Sequence, residues 1–192
     1  MRCYSCSKLS YKILCQTCQE QLFKPTITNK KVGTMDVISF YRYSTIGSLL
    51  HSKHKPEGHR IYKALAEITM KPFMKEFMEN NDGEVYIVGI DEHVKSGYAH
   101  VSLLTKAMKS KTSIPQHASL MATNRVSYSG KSLQFRLDHP RDFIYTGVED
   151  VHAILVDDII TTGITLQEAY TVLTKQGVNV LFALTLAYVE EK

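Results

Sequence analysis

After Cys18 the chain contains no cysteine: of its 192 residues, the thiols are Cys3, Cys6, Cys15 and Cys18 alone. No disulfide can staple the remainder, which has to rely on a packed core, and the length suffices for one good core with a small appendage. Long apolar runs are also missing. Nothing approaches the roughly 20 residues that span a bilayer, and the first residues carry cysteines where a signal peptide would carry its apolar segment. The expectation is a cytoplasmic protein. Internal repeats and low-complexity segments are absent, and an apolar fraction of 44% with a charged fraction of 22% is that of a globular chain.

Acidic residues are missing from one long span. Between His93 and Leu137 there is no Asp or Glu, while Lys95, Lys106, Lys109, Lys111, Arg125, Lys131 and Arg136 accumulate. The net charge is only +4, so the attraction for polyanions rests on segregation of charge, not on its total. Lysine and arginine contacts to phosphates would give salt-sensitive binding of nucleic acid without sequence preference, with Tyr98 and Tyr128 available to stack on bases. A basic surface with no partner is the plainer reading.

What is present begins with the cysteines, spaced as C-x2-C, eight residues, C-x2-C. Each C-x2-C turns two thiolates toward one point, and two such knuckles complete the tetrahedron preferred by Zn²⁺. A site with four thiolates leaves no coordination position open, so the expected role is structural, with a docking surface around Tyr4, Lys8, Tyr11 and Lys12. A pair of disulfides is the rival reading, disfavoured in a reducing compartment. Residues 1–24 are read as this module and 25–35, rich in Lys, Thr and Asn without a clear period, as a linker to a domain over 36–192.

Within 36–192, Val37 to Tyr43 is rich in β-branched and aromatic residues and reads as a strand, with Ser44 capping a helix through Leu50. His59 to Asn80 reads as a longer amphipathic helix with a bend at Pro72. Val85 to Ile90 is the next strand, followed by a loop and a helix from about Ala99 to Met108. His117 to Met121 reads as a strand, Ser127 to Gly130 as a flexible loop and Phe143 to Tyr145 as a short apolar piece. Leu166, Ala169, Tyr170 and Leu173 line one face of a helix closed by Gly177, and Val178 to Val189 is a final strand. Alternating strands and helices imply an α/β fold with a largely parallel sheet covered on both faces, its ligand at the carboxyl ends of the strands.

Ile154-Leu155-Val156-Asp157-Asp158-Ile159-Ile160-Thr161-Thr162-Gly163-Ile164-Thr165 is the stretch richest in chemistry. An apolar strand is read as stopping at two carboxylates and opening into a turn that Thr161 and Thr162 can cap. Gly163 lets backbone approach a ligand, and a helix N-terminus there would aim amides and the positive end of its dipole at an anion. Phosphate suits the turn and hydroxyls or a metal ion suit the carboxylates, so a sugar phosphate satisfies both. An ordinary strand-to-helix connection is the bland alternative.

This stretch resembles the 5-phosphoribosyl-1-pyrophosphate (PRPP) motif of the type I phosphoribosyltransferases. The resemblance implies ribose contacts from Asp157 and Asp158, phosphate contacts from Thr161, Thr162, Gly163 and Thr165, and Mg²⁺ accompanying PRPP. Taken with the four-cysteine module, the aromatic strand and the lysine-bearing helix end at Lys53, nearly the whole chain is similar to the ComF (ComFC) family of competence-associated phosphoribosyltransferase-like proteins. Where that family carries an Arg-Gly-Phe-Asn-Gln-like run, this chain has Ser96-Gly97-Tyr98-Ala99-His100.

The ComF resemblance implies a competence protein that binds and handles single-stranded DNA during natural transformation. Its expected DNA contacts are Lys53, Lys95, Lys106, Lys109, Lys111 and Arg125. Its expected partners are a competence helicase or an inner-membrane DNA channel, which would bring the protein to the inner membrane periphery. The alternative is an active phosphoribosyltransferase with an unidentified acceptor, the basic span then serving to neutralise PRPP. No residue stands out as its general base. His93, His100 and Tyr128 are candidates, though a lone histidine is more often structural.

Overall fold

The computed structural model describes residues 1–192 except 91–93, 95–96, 125, 127, 129 and 191–192. In chain order the elements are α1 (Gln16–Gln21), β1 (Thr28–Val32), β2 (Met35–Arg42), α2 (Tyr43–Leu50), α3 (Gly58–Ile68), α4 (Met70–Glu79) and β3 (Val85–Gly89). Then come α5 (His100–Ala107), β4 (Ser113–Gln116), β5 (Leu120–Ala122), α6 (Leu133–Asp138), β6 (Phe143–Tyr145), β7 (His152–Ile160), α7 (Ile164–Lys175) and β8 (Asn179–Tyr188). A 3₁₀ turn, His51–His54, follows α2.

Six strands form one sheet in the order β1-β2-β8-β7-β3-β4, in which β1 runs antiparallel to β2 and the other neighbours are parallel. The expected α/β class and largely parallel sheet are present. β5 and β6 pair separately as a small antiparallel ribbon.

The sheet is covered on both faces, and the period of two along β7 shows how. Ile154 and Val156 join a cluster with Phe40, Leu49, Ile61, Leu65 and Leu104 under α2, α3 and α5. Ala153 and Leu155 join the opposite cluster with Val88, Leu166, Ala169 and Leu173 under α7. Central parallel strands buried on both sides are continuous apolar runs for this reason.

Several local expectations are corrected. The motif strand does not stop at the carboxylates: β7 carries on through Asp157 and Asp158 to Ile160, and Asp157 pairs in register with Thr185 and Ile160 with Tyr188 of β8. A long neighbouring strand supplies ladder partners past the acids. The expected helix over 59–80 is two helices, separated at Thr69 (φ −123°, ψ −77°). Pro72 explains the break, since a proline ring clashes with the carbonyl four residues back, here that of Ile68, the last residue of α3.

Ser44 lies inside α2, whose N-cap is Arg42. The stretch 117–121 is extended only from Leu120, β4 having ended at Gln116. The stretch 25–35 contains β1, whose Lys30 and Lys31 sit on the sheet's edge strand, where charge opposes edge-to-edge pairing.

The N-terminal module shares the core of the larger domain. Leu14, Cys18 and Phe23 pack in the same apolar cluster as Phe40 and Tyr41, and Tyr41 Oη donates to Phe23 O at 2.7 Å. Among the described residues no helix is long and apolar enough to cross a membrane.

Candidate functional site

Lys53, Tyr62 and His100, from distant segments, converge on one oxygen at the carboxyl end of β7. Asp158, 4% exposed, accepts at Oδ2 from Lys53 Nζ (3.2 Å) and Tyr62 Oη (3.1 Å), with His100 Nε2 at 3.3 Å. Lys53 comes from the 3₁₀ turn, Tyr62 from α3 and His100 from the first residue of α5. The His100 ring also meets the Tyr62 ring edge-on at 5.3 Å. Burial pushes the Asp158 carboxyl up, but the adjacent His100 and the Lys53 charge outweigh it and hold the group well below the usual carboxylate range. At neutral pH it is an anion and a hydrogen-bond acceptor, not a proton donor.

Asp157 is placed differently. Successive strand residues alternate faces, so its side chain starts from the face of Leu155 while that of Asp158 starts from the face of Val156. Asp157 Oδ1 accepts from the backbone amide of Asp158 at 2.7 Å. The two carboxylates therefore leave the strand on opposite faces.

The turn that follows also departs from expectation in detail. Neither Thr161 nor Thr162 caps α7; both are exposed, and the N-cap is Gly163, with φ +79° and no side-chain cap. The left-handed backbone suits glycine, and an added Cβ would meet Val32 Cγ2 of β1 at 2.6 Å. α7 has no acidic residue in its first turn. The first-turn amides and the positive dipole end are thus left without an acidic side chain, a setting that favours an anion. Thr165 is half-buried in the same turn.

In the sequence, Arg136 is only one charge of the basic span. In the structure its Nη1 donates to Thr161 Oγ1 at 2.5 Å, so α6 reaches the motif loop. A separation of 25 residues and the lack of a motif around Arg136 leave no signal for this in the sequence.

The expected DNA contacts are not all in one place. Lys53 lies at Asp158. Lys106 is in the last turn of α5, which leads away from His100, and Lys109 and Lys111 precede β4, whose Ser113 pairs with Val85 at the start of β3. These three lysines therefore lie toward the amino edge of the sheet, opposite the motif. Lys95 and Arg125, and the candidate base His93, fall outside the described residues. Of the other candidate bases, His100 is a partner of Asp158, and Tyr128 is buried, donating to His139 O at 2.6 Å. Burial raises the Tyr128 hydroxyl's pKa, which suits it poorly to take up or release protons near neutrality.

At the other end of the chain the four cysteine sulfurs lie within 4.8 Å of one another. Cys3 Sγ is 3.8 Å from Cys18 Sγ, and Cys6 Sγ is 3.6 Å from Cys15 Sγ. With Zn–S bonds of about 2.3 Å, a tetrahedron has S···S edges of about 3.8 Å, so the cluster has the dimensions to hold a metal such as zinc. All four cysteines are unbridged. The amide of Cys15 donates to Cys3 Sγ at 3.2 Å, which favours a thiolate there. Leu9 and Tyr11 in the loop between the knuckles are strongly exposed, at 84% and 103%. Among the described residues this is the one group of three or more metal-type ligands. The Asp pair, one member of which already holds Lys53, fits a metal ion through water better than by direct ligation.

No protein-family model matches the chain, and no curated protein matches it. Among solved structures, the chain is similar to a hypoxanthine phosphoribosyltransferase from Staphylococcus aureus in two crystal forms. The first has a TM-score of 0.43 at 17% identity, covering 66% of this chain and 64% of that one, so the match spans less than two thirds of its length. The second has 0.42 at 17%, covering 68% and 69%. An adenine phosphoribosyltransferase is similar over 90% of this chain and 96% of its own, with a TM-score of 0.42 and 15% identity.

Proposed function

We propose that the carboxyl end of β7 and the N-terminus of α7 form a PRPP pocket. The observation that carries this reading is the close succession of an ionised buried carboxylate at Asp158 and an uncapped helix start at Gly163 with no acid beside it. A ligand with vicinal hydroxyls next to a phosphate matches that order. Asp157 and Asp158 accept the ribose hydroxyls, and Thr161, Thr162, Gly163 and Thr165 surround the 5-phosphate. Lys53, on the Asp158 side, faces the pyrophosphate. Mg²⁺, bound with PRPP, would neutralise the pyrophosphate, and the Asp pair would hold its waters. Zn²⁺ in the four-cysteine cluster is structural in this reading.

Because Asp158 stays ionised, its contribution to any transfer is to hold the ribose and to offset positive charge as pyrophosphate departs, rather than to move a proton. Turnover with an acceptor is the second reading, favoured by that placement of negative charge.

The role that fits both the ComF resemblance and the separation of charges is the handling of single-stranded DNA in natural transformation. Lys106, Lys109 and Lys111 lie away from the motif, so a polyanion and PRPP can bind at once. A helicase or an inner-membrane channel of the competence machinery is the partner class this role calls for. Titration with PRPP in the presence and absence of single-stranded DNA tests the joint reading: both ligands should bind together, and mutual exclusion would contradict two separate sites.

A further inference from the structure

Arg136 is held in an unusual way. Its guanidinium donates to neutral acceptors: Nη1 to Thr161 Oγ1 (2.5 Å), Nη2 to Tyr128 O (3.1 Å) and Nε to Lys131 O (3.3 Å). Its charge also lies 5.6 Å from the centre of the Tyr128 ring, whose other cation is Arg141 at 4.7 Å. Among the described residues no carboxylate forms an ion pair with it. Two nearby acids are engaged elsewhere: Glu168 on α7 accepts from the amides of Arg141 and Asp142, and Asp138 accepts from Gln134.

A half-buried guanidinium with no carboxylate partner among the described residues thus touches the loop that opens α7, a helix whose own positive end has no acid in its first turn. Two features of the same sign meet at Thr161. A dianion completes them both, since a guanidinium presents paired donors that match phosphate oxygens.

We propose that Arg136 is the cationic ligand of the phosphate group bound at the loop 161–165, with Thr161 Oγ1 occupying the acceptor position that a phosphate oxygen takes when ligand is present. The proposal rests on the PRPP-pocket reading. It adds a residue from outside the motif, one that is itself fixed by the carbonyls of Tyr128 and Lys131.

The test is calorimetric titration of the full zinc-loaded chain with ribose 5-phosphate, for wild type, Arg136→Lys and Arg136→Gln. Glutamine keeps a donor for the carbonyls while removing the charge, and thermal melting establishes that each variant is folded. Wild type should bind, Arg136→Gln should weaken binding by about tenfold or more, and Arg136→Lys should fall between. Phosphorus NMR of the bound sugar adds a signature that a merely structural role would not move. The second ionisation of the phosphate, near pH ~6 when free, should shift downward on wild type and less on Arg136→Gln. Equal affinity and equal phosphate titration in folded wild type and Arg136→Gln would overturn the role of Arg136 while leaving the pocket standing. Absence of ribose 5-phosphate binding by wild type would overturn both.

Discussion

Lys53 Nζ lies 3.2 Å from Asp158 Oδ2, although the two residues are 105 positions apart. The ion pair joins the turn after α2 to the end of β7, and Tyr62 and His100 close around it. Its position explains why the carboxylate stays charged despite burial: the donors stabilise the charge that desolvation opposes.

Asp158→Asn should lower stability by about 1–3 kcal/mol at pH 7, because it leaves Lys53 and His100 facing a neutral amide. The pH dependence has a definite sign. The folded-state pKa of Asp158 is depressed, so its contribution is fully present above the unfolded value of 3.8 and is lost as pH falls below it toward the folded value. Urea titrations from neutral pH down to the acid end of the folded range should show the difference between wild type and Asp158→Asn shrinking as pH falls. A difference independent of pH would contradict the assignment.

Gly163→Ala should destabilise the fold by about 1–2 kcal/mol and remove phosphate binding, since alanine is strained at φ +79° and its Cβ would meet Val32. Val32→Ala in the same chain relieves the clash but not the backbone strain, so recovery should be partial. Thermal melts of the two single variants and the double variant check this.

Much of this site is legible in the sequence because it is local. Asp157, Asp158 and the run from Thr161 to Thr165 fall within one short stretch, and their residue types carry their own reasons. The four cysteines are legible for the same cause, their spacing being a statement about geometry. What stays hidden depends on residues far apart. Tyr62 and His100 reach Asp158 only through the packing of α3 and α5, and Arg136 reaches Thr161 only through the placement of α6. The continuation of β7 past the acids depends on ladder partners in β8, and β1 is hidden because its residues, Thr-Asn-Lys-Lys-Val, show no apolar alternation even though their burial alternates along the edge.

Metal removal should have a global effect. Because Leu14, Cys18 and Phe23 share the apolar cluster of Phe40 and Tyr41, the cysteine module has no independent core. We expect about one zinc per chain by elemental analysis and, after chelation or Cys18→Ser, a drop in the midpoint of a single unfolding transition. Acidification should also release the metal, as protons compete for the thiolates. A separate low-temperature transition with an unchanged main transition would show the module to be independent.

Single-stranded DNA binding should fall steeply with salt, and replacing Lys106, Lys109 and Lys111 with glutamine should weaken it and flatten the salt slope by about 0.7 for each phosphate no longer neutralised. The same triple variant should bind PRPP as wild type does, because the lysines lie toward the opposite edge of the sheet. Fluorescence anisotropy at a series of salt concentrations measures the first effect, and calorimetry the second. No binding at low salt would exclude DNA as a partner.

If Asp157, Asp158 and the loop at Gly163 hold PRPP, calorimetric titration of the zinc-loaded protein with PRPP and Mg²⁺, for wild type and for Asp157→Asn with Asp158→Asn, shows it most directly. We predict saturable binding near one PRPP per chain to wild type, and loss of that binding in the folded double variant. Undiminished affinity in the double variant, or no binding by wild type, would contradict a PRPP pocket at the end of β7.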